Sequence, residues 1–198
     1  MNDPQPKPGT RGPLIILSGP SGTGKSTLVH RLLDMKRWPL RLSVSATTRA
    51  PRPGEVEGRD YYFWTREQFE EALSKAEFLE HAQVHGKYYG TLRREVEPYR
   101  QAGWGVILDI DTQGARQVWQ ACSDHVSIFV RTSEGETYEE RLRKRGTETE
   151  AAIRQRLQNA QAELSHAPEY PYQILNEDLD EAVEKLAEVV ATCFPKGP

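Results

Sequence analysis

A doubly wound parallel α/β sheet flanked by helices is the fold class that three features of this chain predict. Apolar, strand-like runs alternate with segments of helical periodicity along its 198 residues. The first run, Leu14-Ile15-Ile16-Leu17, leads through a glycine-rich turn into a segment with Leu28, Leu32 and Met35 at helical spacing. A later run, Gly105-Val106-Ile107-Leu108, delivers Asp109 and Asp111 at the carboxyl end of a strand, where open α/β sheets place their ligands.

The turn Gly19-Pro20-Ser21-Gly22-Thr23-Gly24-Lys25-Ser26 fits G-x-x-x-x-G-K-S/T in the strand-to-helix setting that this pattern requires. Glycines let the backbone curl so that successive N–H groups point at phosphate oxygens, and the following helix adds its positive end to the same place. Lys25 would reach the β- and γ-phosphates of a nucleoside triphosphate, and the Ser26 hydroxyl would ligate Mg²⁺. The plainer alternative is a glycine turn with an incidental lysine. The strand and helix around the turn favour a triphosphate site and a P-loop NTPase-type sheet.

Composition narrows the partners. Charged residues make up 28% of the chain and the net charge is only −3, so long nucleic acid is not expected to bind. Cys122 and Cys193 stand far apart, in no metal or redox spacing, and suggest a reducing, cytoplasmic setting. No apolar run approaches membrane-spanning length and no charged-then-apolar leader opens the chain, so no membrane partner is expected. Monomer and homo-oligomer remain equally open.

The remaining elements follow in order. Residues 1–12, with Pro4, Pro6, Pro8 and Gly9, read as a disordered tail before a single domain over 13–198. Residues 41–48 are β-rich and run into Arg49-Ala50-Pro51-Arg52-Pro53-Gly54, which its prolines make a loop. Arg49 and Arg52 there could clamp a second phosphate, or simply face water. Residues 60–64 read as a strand, and Thr65-Arg66-Glu67-Gln68 as a capping box opening a helix through Ala76. A strand over 78–84, and a turn and short aromatic strand within 86–91, complete a small mixed subdomain inserted in the main sheet, with Tyr61, Glu80 and Tyr89 as its polar tips. Taken alone, each tyrosine reads as a core-edge aromatic whose hydroxyl meets water.

A helix is expected over about 92–102, then the strand ending in Asp109 and Asp111, whose side chains would face the same side. This Walker B-like pair has a bland alternative, two solvated acids. After a strand over 126–130, a capping box at 133–136 opens a helix with Arg141 and Arg145 four apart on one face. Gly146 stops it, and a third helix, capped by residues 147–150, carries Arg154 and Arg156 and reaches about His166. With little apolar surface, this hairpin should be a mobile lid, or else a solvated arm. A closing strand over 172–175 and a last helix, capped by Asp178 with Val183, Leu186, Val189 and Val190 inward, finish the chain.

Together these residues resemble the guanylate kinases, nucleoside monophosphate kinases of the P-loop class. G-P-S-G-T-G-K-S, S-V-S-A-T-T-R-A-P-R-P-G-E, D-Y-Y-F, F-L-E, Y-Y-G-T, I-L-D-I-D-T-Q-G, R-L-x-x-R-G-T-E-T-E and Q-N-A-Q-A-E-L occur in the family's order, from about Leu14 to the last helix. The resemblance implies a core of residues 13–47, 93–132 and 167–198, a GMP-binding subdomain of residues 48–92 and a lid of residues 133–166. It implies that Arg49, Arg52, Tyr61 and Tyr89 hold the GMP phosphate. Ser45, Glu80 and Thr91 would read the guanine, with Asp111 at another GMP-site position; threonine at 91 keeps the hydroxyl that serine often supplies. Arg141, Arg145 and Arg156 would close over the triphosphate, Asn176 would contact the adenine, and Asp109 would stand near Mg²⁺.

The implied activity is transfer of the γ-phosphoryl group of ATP to GMP, with dGMP an open second acceptor and Lys25, Arg49, Arg141, Arg145 and Arg156 as catalytic residues. Guanine chemistry is consistent with this, because N1–H and the N2 amino group are adjacent donors that one carboxylate accepts together. Two rivals compete: a non-catalytic module of similar sequence that binds phosphopeptides, and a related kinase with another acceptor. The intact glycine turn opposes the first, and Glu80 with Ser45 opposes the second.

Overall fold

The computed structural model describes residues 4–6, 9–84, 86–132 and 160–194. The chain is built around β1 (Leu14–Ser18), which is buried along its whole length. Side chains alternate across a strand, and β1 feeds two cores at once. Ile15 and Leu17 pack with Leu28, Val29 and Leu32 of α1 (Lys25–Asp34) on one face. Leu14 and Ile16 join Val96, Val118 and Tyr170 on the other. A strand covered on both faces is the mark of a parallel sheet.

That sheet has the order β2-β7-β1-β8-β9, with β2 (Leu40–Leu42), β7 (Gly105–Asp109), β8 (His125–Arg131) and β9 (Tyr172–Leu175), and every pairing is parallel. The C-terminal helix α5 (Leu179–Thr192) lies beside α1; Asp178 caps it by accepting the Glu181 N–H at 3.0 Å.

A second, four-stranded sheet has the order β4-β3-β6-β5: β4 (Tyr62–Phe63), β3 (Ser45–Thr47), β6 (Lys87–Leu92) and β5 (Phe78–Val84). It is mixed, with β3–β4 parallel and the other pairs antiparallel. Its own small core stacks Phe69 of α2 (Arg66–Ser74) on Phe78 and Tyr88, at ring separations of 4.3 and 5.3 Å. The expected capping box is present: the Thr65 hydroxyl accepts from the Gln68 N–H at 3.2 Å, and Gln68 Oε1 accepts from the Thr65 N–H at 2.8 Å.

Several expectations need correction. The β-rich stretch 41–48 is two strands in two sheets. Ser43 still donates to Ile107, after which the chain crosses into β3. The helix expected over 92–102 is a 3₁₀ turn at Arg93–Glu95 followed by α3 (Glu97–Gln101). Pro98 sits in the first turn of α3, where its missing N–H costs nothing; inside a longer helix its ring would clash with the carbonyl of residue 94. Asp111 is not on a strand. β7 ends at Asp109, and Asp111 caps α4 (Thr112–Ala121), a helix that the sequence reading overlooked although Ala115, Val118 and Cys122 carry its period.

The tail also ends sooner than residue 12. The Gly12 N–H donates to the Arg100 carbonyl at 2.7 Å, buried Arg100 donates back to the Gly12 carbonyl at 2.9 Å, and Arg11 pairs with Glu97 at 2.7 Å. Residues 133–159, with Arg141, Arg145 and Arg156, where the sequence predicts a lid, lie outside the described residues; 160–164 are helical.

Candidate active site

The register of the central strands creates the site. Leu17 of β1 lies beside Asp109 of β7, so both strands end at one level. From β1 the chain passes into the glycine-rich loop, and at its far end Gly24 adopts a left-handed φ of 86° as N-cap of α1. Only glycine takes that conformation cheaply, and a Cβ there would lie 2.5 Å from the Asn176 amide nitrogen. Within the loop the Thr23 hydroxyl donates to the Pro20 carbonyl at 2.9 Å. The Lys25 ammonium donates to the Gly19 carbonyl at 2.6 Å and to that of Pro20 at 3.2 Å. Its positive head therefore lies across the loop, at the N-terminus of α1.

Beside it the Ser26 hydroxyl donates to Asp109 Oδ2 at 2.8 Å. Two hard oxygen donors beside a phosphate loop suit Mg²⁺, which takes few protein ligands and completes its shell with phosphate oxygens and water. Among the described residues no cluster of three or more His, Cys, Asp or Glu side chains could hold a metal by itself. The fit is thus to an ion carried in with a triphosphate.

A cavity of about 300 Å³ runs from this loop to the second sheet. Gly19, Ser21, Gly22, Gly24, Lys25 and Ser26 line one end, Asp109 and Asp111 the floor, and Ser45, Arg52, Tyr61, Glu80 and Tyr89 the other end. Cross-strand pairing sets up that far end. Ser45 of β3 pairs with Thr91 of β6, and Thr91 pairs with Glu80 of β5, so two hydroxyls and a carboxyl stand in one row. Glu80 is only 4% exposed, and its Oε1 accepts the Thr91 N–H at 2.8 Å. Burial pushes its carboxyl up to about 7, and the negative charge of Asp111 adds to the shift. Asp111 is itself raised, chiefly by burial, although its Oδ1 accepts the Gly114 N–H at 2.8 Å.

The neighbouring row carries basic and aromatic groups. Arg49 makes a two-pronged pair with Glu55, at 2.8 and 2.9 Å, beneath the Tyr61 ring at 5.3 Å. Glu55 also accepts the Arg52 N–H at 2.6 Å, so one carboxylate holds both the guanidinium and the loop. The pairing raises Arg49 and lowers Glu55. Tyr61 packs edge-on to Tyr89 at 6.1 Å, and burial lifts its hydroxyl to about 12, keeping it a neutral donor.

Five of the expected residues that lie among the described ones do not line the cavity. Pro20 and Thr23 shape the loop from within, Thr91 is fully buried in its row, and Arg49 lies behind, paired with Glu55. Asn176, 4% exposed, sits under the loop and donates from Nδ2 to the Thr23 carbonyl at 2.7 Å. Glu55 and Glu163 were missed. Both lie inside motifs that carried the resemblance, but an acid just after a proline-rich loop and an acid on a helix give no signal alone. Glu163 lines the cavity, and burial pushes it up to about 7 against the pull of Lys25.

The family model described as guanylate kinase matches residues 11–193. A guanylate kinase of Rickettsia felis is 48% identical over 180 residues, covering 91% of this chain and 93% of that protein. One of Synechocystis sp. is 46% identical over 181 residues, covering 91% and 94%. Among solved structures, that of a guanylate kinase from Anaplasma phagocytophilum is similar with a TM-score of 0.75 and 36% identity, over 92% of this chain and 86% of that one.

Replacing Asn176 with Ala would leave the buried Thr23 carbonyl without this donor. The expected loss is about 1–3 kcal/mol of stability, read by urea denaturation of the two proteins, together with weaker triphosphate binding.

Proposed function

The chain belongs to the guanylate kinase family, and from that premise we propose that its cavity binds ATP at the glycine-rich loop and GMP at the second sheet. The protein is a nucleoside monophosphate kinase, and the reaction is transfer of the γ-phosphoryl group of ATP to GMP, giving ADP and GDP. The observation that carries the substrate assignment is the row Ser45–Thr91–Glu80 in a cavity shared with the glycine-rich loop.

Ionised, Glu80 accepts N1–H and the N2 amino group of guanine side by side, while the Ser45 hydroxyl donates to O6 and Thr91, buried beside them, holds Glu80 through its N–H. Adenine has the opposite edge and would leave Glu80 buried without a partner, which is strongly rejecting. Arg52, Tyr61 and Tyr89, with Arg49 behind them, suit the GMP phosphate, and Asp111 completes that pocket. dGMP presents the same edge and phosphate.

In the transfer, an oxygen of the GMP phosphate bonds to the γ-phosphorus as the bond to the β–γ bridging oxygen breaks, and that oxygen leaves with ADP. No covalent enzyme intermediate is needed; alignment and charge neutralisation carry the step. Lys25 supplies a positive charge at the loop, and the loop N–H groups orient the phosphates. Ser26 and Asp109 would hold Mg²⁺, which when bound neutralises phosphate charge. Arg141, Arg145 and Arg156 are assigned to closure over the triphosphate by resemblance to the family. The setting is cytoplasmic, which the two free cysteines suit. Among the described residues no helix is long and apolar enough to cross a membrane.

The test is ADP formation from Mg-ATP with GMP, dGMP, AMP, CMP or UMP as acceptor. Turnover confined to guanine nucleotides is expected, and equal turnover with AMP would refute the base assignment. Lys25→Met should keep the fold, by circular dichroism, and lose about three or more powers of ten in kcat; near-normal turnover would remove Lys25 from the chemistry.

A pH prediction follows from Glu80. Its pKa is raised to about 7, so the ionised, guanine-accepting form is lost as pH falls through 7. From pH 8 to pH 6 the KM for GMP should rise about tenfold, beyond the change due to the GMP phosphate itself. Glu80→Gln has no carboxyl to titrate and should bind GMP weakly at both pH values, keeping only the phosphate's own dependence.

A further inference from the structure

Strand β5 is the outer strand of the second sheet, and an edge strand presents N–H and C=O groups that no neighbouring strand pairs. At His81, the residue after Glu80, α4 supplies the missing partner. The His81 N–H donates to Gln117 Oε1 at 3.1 Å, and Gln117 Nε2 donates to the His81 carbonyl at 2.6 Å. One carboxamide thus closes on one residue as an added strand would.

Three residues earlier, on the same face of α4, stands Gly114. A Cβ at that position would run into Glu80 Oε2, lie 3.0 Å from Glu80 Cδ and 3.4 Å from Asp111 Oδ1. The backbone of α4 therefore abuts the buried carboxylate on one side, while the Thr91 N–H holds its other oxygen at 2.8 Å. The same helix begins at Asp111, two residues beyond the Asp109 that meets Ser26 of the loop. Its position ties the place of Glu80 to the place of the phosphates.

We propose that Gly114 and Gln117 are positioning residues for guanine selectivity, setting the Glu80 carboxylate where it can accept two guanine donors at once. This rests on the assignment of Glu80 as the guanine acceptor. Bidentate acceptance demands a carboxylate held within a fraction of an ångström and a few degrees. A displaced carboxylate still accepts one donor, so the residues act on the difference between one donor and two.

The experiment compares GMP with IMP, which keeps O6 and N1–H but lacks the N2 amino group. Wild type should prefer GMP; no preference would refute the reading of Glu80 itself, before any variant is made. Gln117→Met keeps the length of the side chain without its amide, and Gly114→Ala adds one methyl group. Each should raise the KM for GMP about tenfold and lower the GMP-over-IMP preference by a similar factor, with the KM for ATP close to wild type. Gln117→Asn, too short to reach both His81 groups, should behave as Gln117→Met does. An unchanged GMP-over-IMP preference in the Gln117 variants, or a KM for ATP rising in step with that for GMP, would overturn the proposal. Should Gly114→Ala fail to fold, the Gln117 variants decide it.

Discussion

Everything in this structure depends on β1 being buried on both faces. A strand so placed cannot shift register by one residue without exchanging Ile15 and Leu17 for Leu14 and Ile16 between two differently shaped cores. That constraint fixes where β1 stops relative to β7, and so fixes the 2.8 Å approach of Ser26 to Asp109. The chemistry at the loop is thus set by packing several residues away. Neighbouring β8 pairs with the other side of β1 and extends the same platform, so the loop stands on three strands that cannot slide independently.

The second sheet solves a different problem. It is small, with a core of a few aromatic rings around Phe69, yet it holds a nearly inaccessible carboxyl and a bidentate ion pair. Its strength comes from register. The β3–β6–β5 pairing puts Ser45, Thr91 and Glu80 in one row, and Thr47, Tyr89 and Ala82 in the row two residues along. Rows of this kind separate the hydroxyl and carboxyl groups from the tyrosine and arginine groups beside them. Arg49 is already held by Glu55, so that, on the proposed reading, no long side chain need be ordered when a phosphate arrives.

Legibility in the sequence followed the range of the forces involved. The phosphate loop, the capping box at Thr65 and the Asp178 cap are local, and each was readable from a few adjacent residues. The parallel sheet was readable because its apolar runs are continuous. What stayed hidden depends on contacts distant in sequence. Asp111 looked like a strand residue because the alternation Asp109-Ile110-Asp111 mimics one, whereas the chain turns there to cap α4. The break at residue 43 leaves no composition signal, since both halves are β-rich. Asn176 bonds to Thr23 across most of the chain, and nothing near it in sequence announces that. The site residues of the second sheet were reachable only through resemblance, because their rows exist only after pairing.

Selectivity on the proposed reading arises from a cost the fold has already met. Keeping a carboxylate ionised in a buried site is unfavourable, and burial, with Asp111 beside it, raises Glu80 to about 7. A group held in such a state gains more from two well-aimed donors than a solvated carboxylate would, and loses more when they are missing. The same burial that weakens the charge therefore sharpens the choice of base. Asp109 escapes that burial at the loop end, where it accepts the Ser26 hydroxyl and, on the proposed reading, would hold a cation instead. On that reading the cavity holds one acid on β5, where desolvation makes it choose among hydrogen-bond donors, and another at the end of β7, beside the loop hydroxyl where phosphate and metal charges would meet.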